Sequence, residues 1–132
     1  MISQGKMHDM ATALIVEDDE AISDTLALVF TEEGFQVRTA RNGEEALEML
    51  KHAPGSIVLL DVMLPKLDGF GVIQALEAAQ QLDHHQIVLM TAGPQSPRIQ
   101  DLLRAGKVAA FLRKPFELDE LVTLMQQLAH SA

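Results

Sequence analysis

Three stretches of the chain are continuously apolar: Ala13-Leu14-Ile15-Val16, Ile57-Val58-Leu59-Leu60 and Ile87-Val88-Leu89-Met90. Short runs without alternation read as strands covered on both faces, as in a parallel sheet. The segment Phe35-Gln36-Val37-Arg38-Thr39 alternates instead, which fits an edge strand with one wetter face. Ala109-Ala110-Phe111-Leu112 reads as a last strand. Between the strands, apolar residues recur at helical spacing. Ile22, Leu26, Val29 and Phe30 form one stripe, and Ala46, Leu47 and Met49 or Leu50 a second. Phe70, Ile73 and Leu76 form a third, with a polar, looped tail from Ala78 to His85. Ile99, Leu102 and Leu103 point inward from a fourth helix near 97–105, and Leu118, Leu121, Val122, Met125 and Leu128 from a fifth over 117–130. Gly34, Asn42-Gly43, Pro54-Gly55 and Gly106 punctuate the pattern.

Five strands thus alternate with five helices. Such alternation demands a parallel sheet with right-handed crossovers and helices on both faces. With the three apolar runs central and 35–39 at an edge, a doubly wound, flavodoxin-like α/β sheet of order 2-1-3-4-5 satisfies the pattern.

In such sheets ligands sit beyond the carboxyl ends of the strands. The first run ends in Glu17-Asp18-Asp19-Glu20 and the third strand in Asp61. Asp19 suits a helix N-cap. In the order 2-1-3-4-5, strands one and three are neighbours, so Glu17, Asp18 and Asp61 converge. Three clustered carboxylates repel and raise one another's pKa values. A hard divalent cation relieves this, and Mg²⁺ takes oxygen ligands, one or two of them carboxylates, and keeps several waters. The backbone carbonyl of Met63 is placed to complete such a site. Thr91 ends strand four, and Lys114 follows strand five. A cation, a hydroxyl, an ammonium and backbone N–H groups around one carboxylate form a preorganised setting for a transferring phosphoryl group. In it, Asp61 can act as nucleophile and become an acyl phosphate.

At 132 residues the chain suits one domain, taken as 12–130, preceded by a short flexible lead-in over 1–11. A formal charge of −9 argues against direct binding to nucleic acid and leaves protein partners and cations open. There is no Cys, so no disulfide framework and no thiolate chemistry. No apolar stretch approaches the roughly 20 residues that span a bilayer. No export signal is visible either, so no membrane role and a cytoplasmic location are the default expectation. His52, His84, His85 and His130 have no second ligand at metal spacing, and His84-His85 reads as a solvated turn. A flavin or nucleotide carrier would need a Gly/Ser/Thr-rich anion loop after the first strand, where this chain has four acids. A phosphohydrolase with an aspartyl-phosphate intermediate usually carries a second Asp two residues after the first, where this chain has Met63.

Four motifs, Val16-Glu17-Asp18-Asp19, Asp61-Val62-Met63-Leu64-Pro65-Lys66-Leu67-Asp68-Gly69, Met90-Thr91-Ala92 and Lys114-Pro115-Phe116, stand in the order found in response-regulator receiver domains. The chain resembles that family over about residues 12–128, in the manner of single-receiver chemotaxis regulators. The resemblance implies a phosphoacceptor, Asp61, which takes a phosphoryl group, with Mg²⁺, from a histidine kinase or histidine phosphotransfer protein of a phosphorelay. It implies direct Mg²⁺ binding by Asp18, binding through water by Glu17, and phosphoryl contacts from Thr91 and Lys114. Phe111, three residues before the lysine, would be the switch aromatic, and Lys114-Pro115 a cis bond. Thr91 and Phe111 would move together, and the face formed by helix four, strand five and helix five would then control a downstream protein target. Met63 and Gly93 stand where water access to the phosphoryl group is gated. The alternative is a receiver-shaped interaction scaffold that is never phosphorylated.

The chain departs from the family pattern between Gly106 and Phe111, where Lys107-Val108-Ala109-Ala110 replaces the usual acids and adds one residue. Leu124 stands where dimerising receivers carry an Arg on helix five. An apolar output patch is expected here rather than a charged dimer seam. Charge reversal at Asp119 should therefore leave self-association, measured by sedimentation, unchanged. Leu124→Arg should weaken partner binding, and the opposite pattern would refute the patch.

Overall fold

A computed structural model describes residues 11–131; the expected lead-in lies outside them except for Ala11. The strands are β1 (Thr12–Val16), β2 (Gln36–Ala40), β3 (Ser56–Asp61), β4 (Gln86–Thr91) and β5 (Ala110–Arg113). The helices are α1 (Glu20–Glu32), α2 (Gly43–Lys51), α3 (Gly69–Ala78), α4 (Pro97–Arg104) and α5 (Leu118–Ser131). All strand pairs are parallel, in the order β2-β1-β3-β4-β5. The three apolar runs are the three central strands, as their lack of alternation requires. Among the described residues, no helix is long and apolar enough to cross a membrane.

Because side chains alternate along a strand, each central run feeds both faces of the sheet. Leu14, Val16, Val58, Leu60, Ile87 and Leu89 pack toward Ala46 and Leu50 of α2, Val72, Ile73 and Leu76 of α3 and Ile99 of α4. Ala13, Ile15, Ile57, Leu59, Val88 and Met90 face Leu26 and Phe30 of α1 and Leu121 and Met125 of α5. The Phe30 and Phe35 rings meet edge to face at 6.0 Å. Four helices start on side-chain caps: Asp19 accepts from Ile22 N–H, Asn42 from Glu45, Asp68 from Gly71 and Ser96 from Ile99. Each cap is worth about 1 kcal/mol, and each starts its helix soon after a strand's carboxyl end, the longest interval being the loop from Asp61 to Asp68.

Several expectations are corrected. Ile22 and Leu118 are not inward: they are 36% and 41% exposed. Ser23 takes the buried place beside Leu26 on α1, and α5 reaches the core only from Leu121. On α3, Phe70 is half-buried, with the Arg98 guanidinium 4.1 Å above its ring, and Val72 occupies the core position. The segment from Ala78 to His85 is not an open loop. It turns at Gln80 (φ 58°) into a 3-10 turn, Leu82–His84, which buries Leu82.

His85 is likewise no solvated turn residue: it is buried, and its Nδ1 accepts the Ser56 N–H at 3.1 Å. Two signals were competing here, and the local polarity of the segment hid a strand-end contact that only β3 supplies.

α4 is held differently from the other helices. Ile99 is its one buried side chain, and Leu102 and Leu103 are half-buried. Arg98 on Phe70, and Lys107 just beyond α4 with Nζ 2.6 Å from Glu77 Oε2, tie this region to α3. The extra residue after Gly106 is absorbed before β5. Gly106 adopts φ 73°, the N–H groups of Lys107 and Val108 both donate to the Leu102 carbonyl, and Ala109 N–H donates to Ile87 O. Phe111 then pairs with Leu89 and Arg113 with Thr91, so the strand enters in register.

Two measurements follow. Leu59→Ala, at the centre of the sheet, should cost about 2–5 kcal/mol in denaturant unfolding. Burial, then the neighbouring charge of His84, pushes the His85 imidazole below its ordinary pKa, and a hydrogen bond to the Leu50 backbone opposes them. As pH falls through about 6.5 the unfolded chain takes up a proton that the folded ring still refuses, so stability is lost toward acid. His85→Gln should flatten that slope in urea midpoints taken across this range; an unchanged slope would exclude His85 as its source.

Candidate functional site

The parallel register of β1 and β3 places Val16 beside Leu60, so the acids that follow each strand emerge together. Glu17 continues the β1 ladder, its N–H donating to Ala40 O at 3.1 Å, and its side chain is buried. Asp18 lies exposed at the rim, and Asp19 turns away to cap α1. Asp61 closes β3 and is 5% exposed. Ligand oxygens of Glu17, Asp18 and Asp61 all lie within 4.8 Å of one another. This is the one such cluster among the described residues.

A lysine balances the charge. Lys114 Nζ donates to Glu17 Oε1 and to Asp61 Oδ2, each at 2.7 Å. The Lys114 N–H donates to Thr91 O at 2.8 Å, and the Lys114-Pro115 bond is cis. Burial disfavours the ammonium charge, but the hydrogen bonds and charges of Asp61 and Glu17 outweigh it, and the Lys114 pKa is raised. Burial also disfavours the Glu17 charge and, aided by the Asp61 charge, leaves its pKa raised, although Lys114 and the Asp19 N–H pull it down. The two shifts point to one circumstance: an ion pair taken partly out of water.

The remaining acceptors are also occupied. Asp61 Oδ1 accepts the Met63 N–H at 3.0 Å, and Glu17 Oε2 accepts the Asp19 N–H at 3.1 Å. Thr91, buried at the end of β4, accepts the Gly93 N–H on Oγ1 at 3.1 Å. Phe111 is half-buried on β5 and packs toward α4, on the face to which Leu89 also points. The structure thus brings Glu17, Asp18, Asp61, Thr91 and Lys114 to one mouth, with Phe111 one strand beyond Thr91. The Met63 side chain is exposed, and its backbone follows Asp61 directly.

The donor set is all oxygen and rich in carboxylate, which fits a hard cation such as Mg²⁺. The buried carboxylate Asp61, with an ammonium 2.7 Å from its Oδ2, can act as a nucleophile toward phosphorus.

Two features escaped the sequence reading. An apolar groove of about 530 Å³ adjoins Lys114, lined by Ile22, Leu26, Pro115, Phe116 and Leu118. Ile22 and Leu118 carried the signal, since they fit a helical stripe yet face this groove. The second is a backbone contact between Gly43 and Leu67, for which residue pattern offers no sign.

The chain is similar to known proteins in sequence and in fold. The profile of the response regulator receiver domain family matches residues 13–126. The DNA-binding dual master transcriptional regulator RpaA of Synechocystis is 31% identical over 90% of this chain and 49% of its own length. Sporulation initiation phosphotransferase F of Bacillus subtilis is 32% identical over 82% of this chain and 85% of its own. Response regulator TrrA of Thermotoga maritima, solved with Mg²⁺-BeF, superposes with a TM-score of 0.73 at 28% identity, covering 90% of this chain and 99% of that one. Against several similar transcriptional regulators the chain spans half their length or less. A likeness that runs nearly end to end along the chain, in sequence and in fold alike, places this protein in the response-regulator receiver domain family of two-component systems.

Proposed function

We propose that residues 12–130 form a phosphoacceptor unit whose Asp61 takes a phosphoryl group from a phosphohistidine. The donor is a histidine kinase or a histidine phosphotransfer protein. A carboxylate oxygen of Asp61 attacks phosphorus, the P–N bond breaks, and the departing imidazole keeps the bonding pair and takes up a proton. What supports this reading above all is the Lys114 ammonium held between Glu17 and Asp61 at 2.7 Å from each. It is a cation already aimed at the place where phosphoryl oxygens must arrive.

Glu17, Asp18, Asp61 and the Met63 carbonyl are the residues to hold Mg²⁺. When bound, the ion offsets repulsion among the three acids and neutralises charge on the phosphoryl oxygens. The chain's own residues do the rest. Lys114 leaves Asp61 Oδ2 for a phosphoryl oxygen. Thr91, whose Oγ1 now accepts from Gly93 N–H, has its hydroxyl hydrogen available for another. Its movement frees space on the face where Phe111 lies, and Phe111 follows. Moving a two-state population from roughly 1:99 to 99:1 takes about 5.5 kcal/mol of differential stabilisation.

The surface of α4, β5 and α5 then carries the signal to a downstream protein. Phe111, Leu112, Asp119 and Leu124 line a shallow cleft there, and Leu124 is half-buried. The formal charge of −9 favours a protein over nucleic acid as the direct partner of this domain. RpaA is a DNA-binding regulator about twice as long as the stretch that this chain matches.

The test is incubation with Mg²⁺ and acetyl phosphate, read by intact mass. Wild type should gain one phosphoryl group, and Asp61→Asn or chelation of the metal should abolish the gain. No gain in wild type would favour an unphosphorylated interaction scaffold.

A further inference from the structure

The loop between β3 and α3, residues 62–68, holds Met63 against the phosphoacceptor through the N–H donated to Asp61 Oδ1 at 3.0 Å. The far end of this loop is wedged tightly. A Cβ placed on Gly43, the first residue of α2, would stand 1.9 Å from the Leu67 carbonyl oxygen and 2.7 Å from its carbon. A Cβ on Gly71 of α3 would stand 2.5 Å from Leu67 Cδ1, and one on Gly69 2.7 Å from the Asp61 carbonyl oxygen. Within the loop, Lys66 adopts φ 68°, and Leu67 N–H donates to Pro65 O at 2.7 Å. The backbone of Gly43 is outside the left-handed region, so a torsion does not demand glycine there. The missing side chain is what the position supplies: it lets a backbone carbonyl sit where a methyl group would stand.

We propose that Gly43 is a positioning residue for the phosphoacceptor site. Its bare Cα seats Leu67 against α2, and that seat sets where the loop presents Met63 to Asp61. The proposal rests on the phosphoacceptor reading above for its Mg²⁺ consequence, though not for its geometric one. Since the obstructing atoms are backbone, a methyl group at residue 43 must displace Leu67 or the start of α2 by about 1 Å, because interiors are close-packed. Misplacement by about 1 Å can cost roughly 100-fold in rate, and loss of a supporting contact typically costs about 10–100-fold in metal affinity.

The experiment compares Gly43→Ala with Leu50→Ala, a destabilising change near the other end of the same helix, and with Gly71→Ala. In the metal-free protein, the Met63 amide is followed by NMR shift and hydrogen exchange. Mg²⁺ affinity is then measured by calorimetry, and Tm for each variant. Gly43→Ala should shift the Met63 amide, speed its exchange and weaken Mg²⁺ binding about tenfold. Leu50→Ala should lower Tm and leave both unchanged. Gly71→Ala meets only the end of a flexible side chain, so it should give a smaller change in the same direction; it decides the matter if Gly43→Ala does not fold. An unmoved Met63 amide, or an equal effect from Leu50→Ala at matched Tm loss, would overturn the proposal. If wild type binds no Mg²⁺, the phosphoacceptor reading fails, and the metal-free amide readout still decides whether Gly43 positions the loop.

Discussion

One ammonium between two buried carboxylates is the constraint on which the site depends. Acids at the ends of β1 and β3 are forced together because those strands are neighbours, and in a partly dry setting they repel strongly. The relieving charge comes from the end of β5, two strands away from β3. Lys114 must therefore cross the end of β4, and its backbone is fastened there by the hydrogen bond to Thr91 O. The sheet order, the buried end of β4 and the electrostatics of the mouth form one arrangement. Changing the order of the strands would leave buried acids without a counter-charge, which is a costly state.

Much of the fold was legible because burial on both faces leaves a plain mark. The runs 13–16, 57–60 and 87–90 have no polar position to spare, and they are the central strands. The edge assignment of β2 followed from Arg38 and Thr39, which are exposed. Stripes on helices were less certain guides. Ile22 and Leu118 obey the spacing but belong to a groove rather than the core, since periodicity reports a face and not what covers it. The residues around His85 do not reveal its burial because its partner, Ser56 N–H, lies 29 residues earlier in the chain.

At the site, side chains with distinctive chemistry could be located from the strand ends that carry them. Glu17, Asp18, Asp61, Thr91 and Lys114 all stand at a strand terminus or within two residues beyond one, so topology alone gathers them. Their pairing was not legible. Nothing in the residue types says that Lys114 holds Glu17 as well as Asp61, or that Leu67 approaches Gly43 backbone to backbone. Both depend on where loops settle after the strands are paired.

The attachment of α4 has a further consequence. With Ile99 as its one buried side chain, displacing this helix uncovers little apolar surface, and burial at about 25 cal/mol per Å² gives only a shallow restoring force. The guanidinium over the Phe70 ring and the pair of Lys107 with Glu77 add to that burial in fixing the helix. Such contacts are directional, and dissolved ions weaken them across a Debye length of about 10 Å at moderate ionic strength. The α4 side of the domain is thus a lightly sprung lever, whose stiffness follows the ionic medium more closely than the hydrophobic core does.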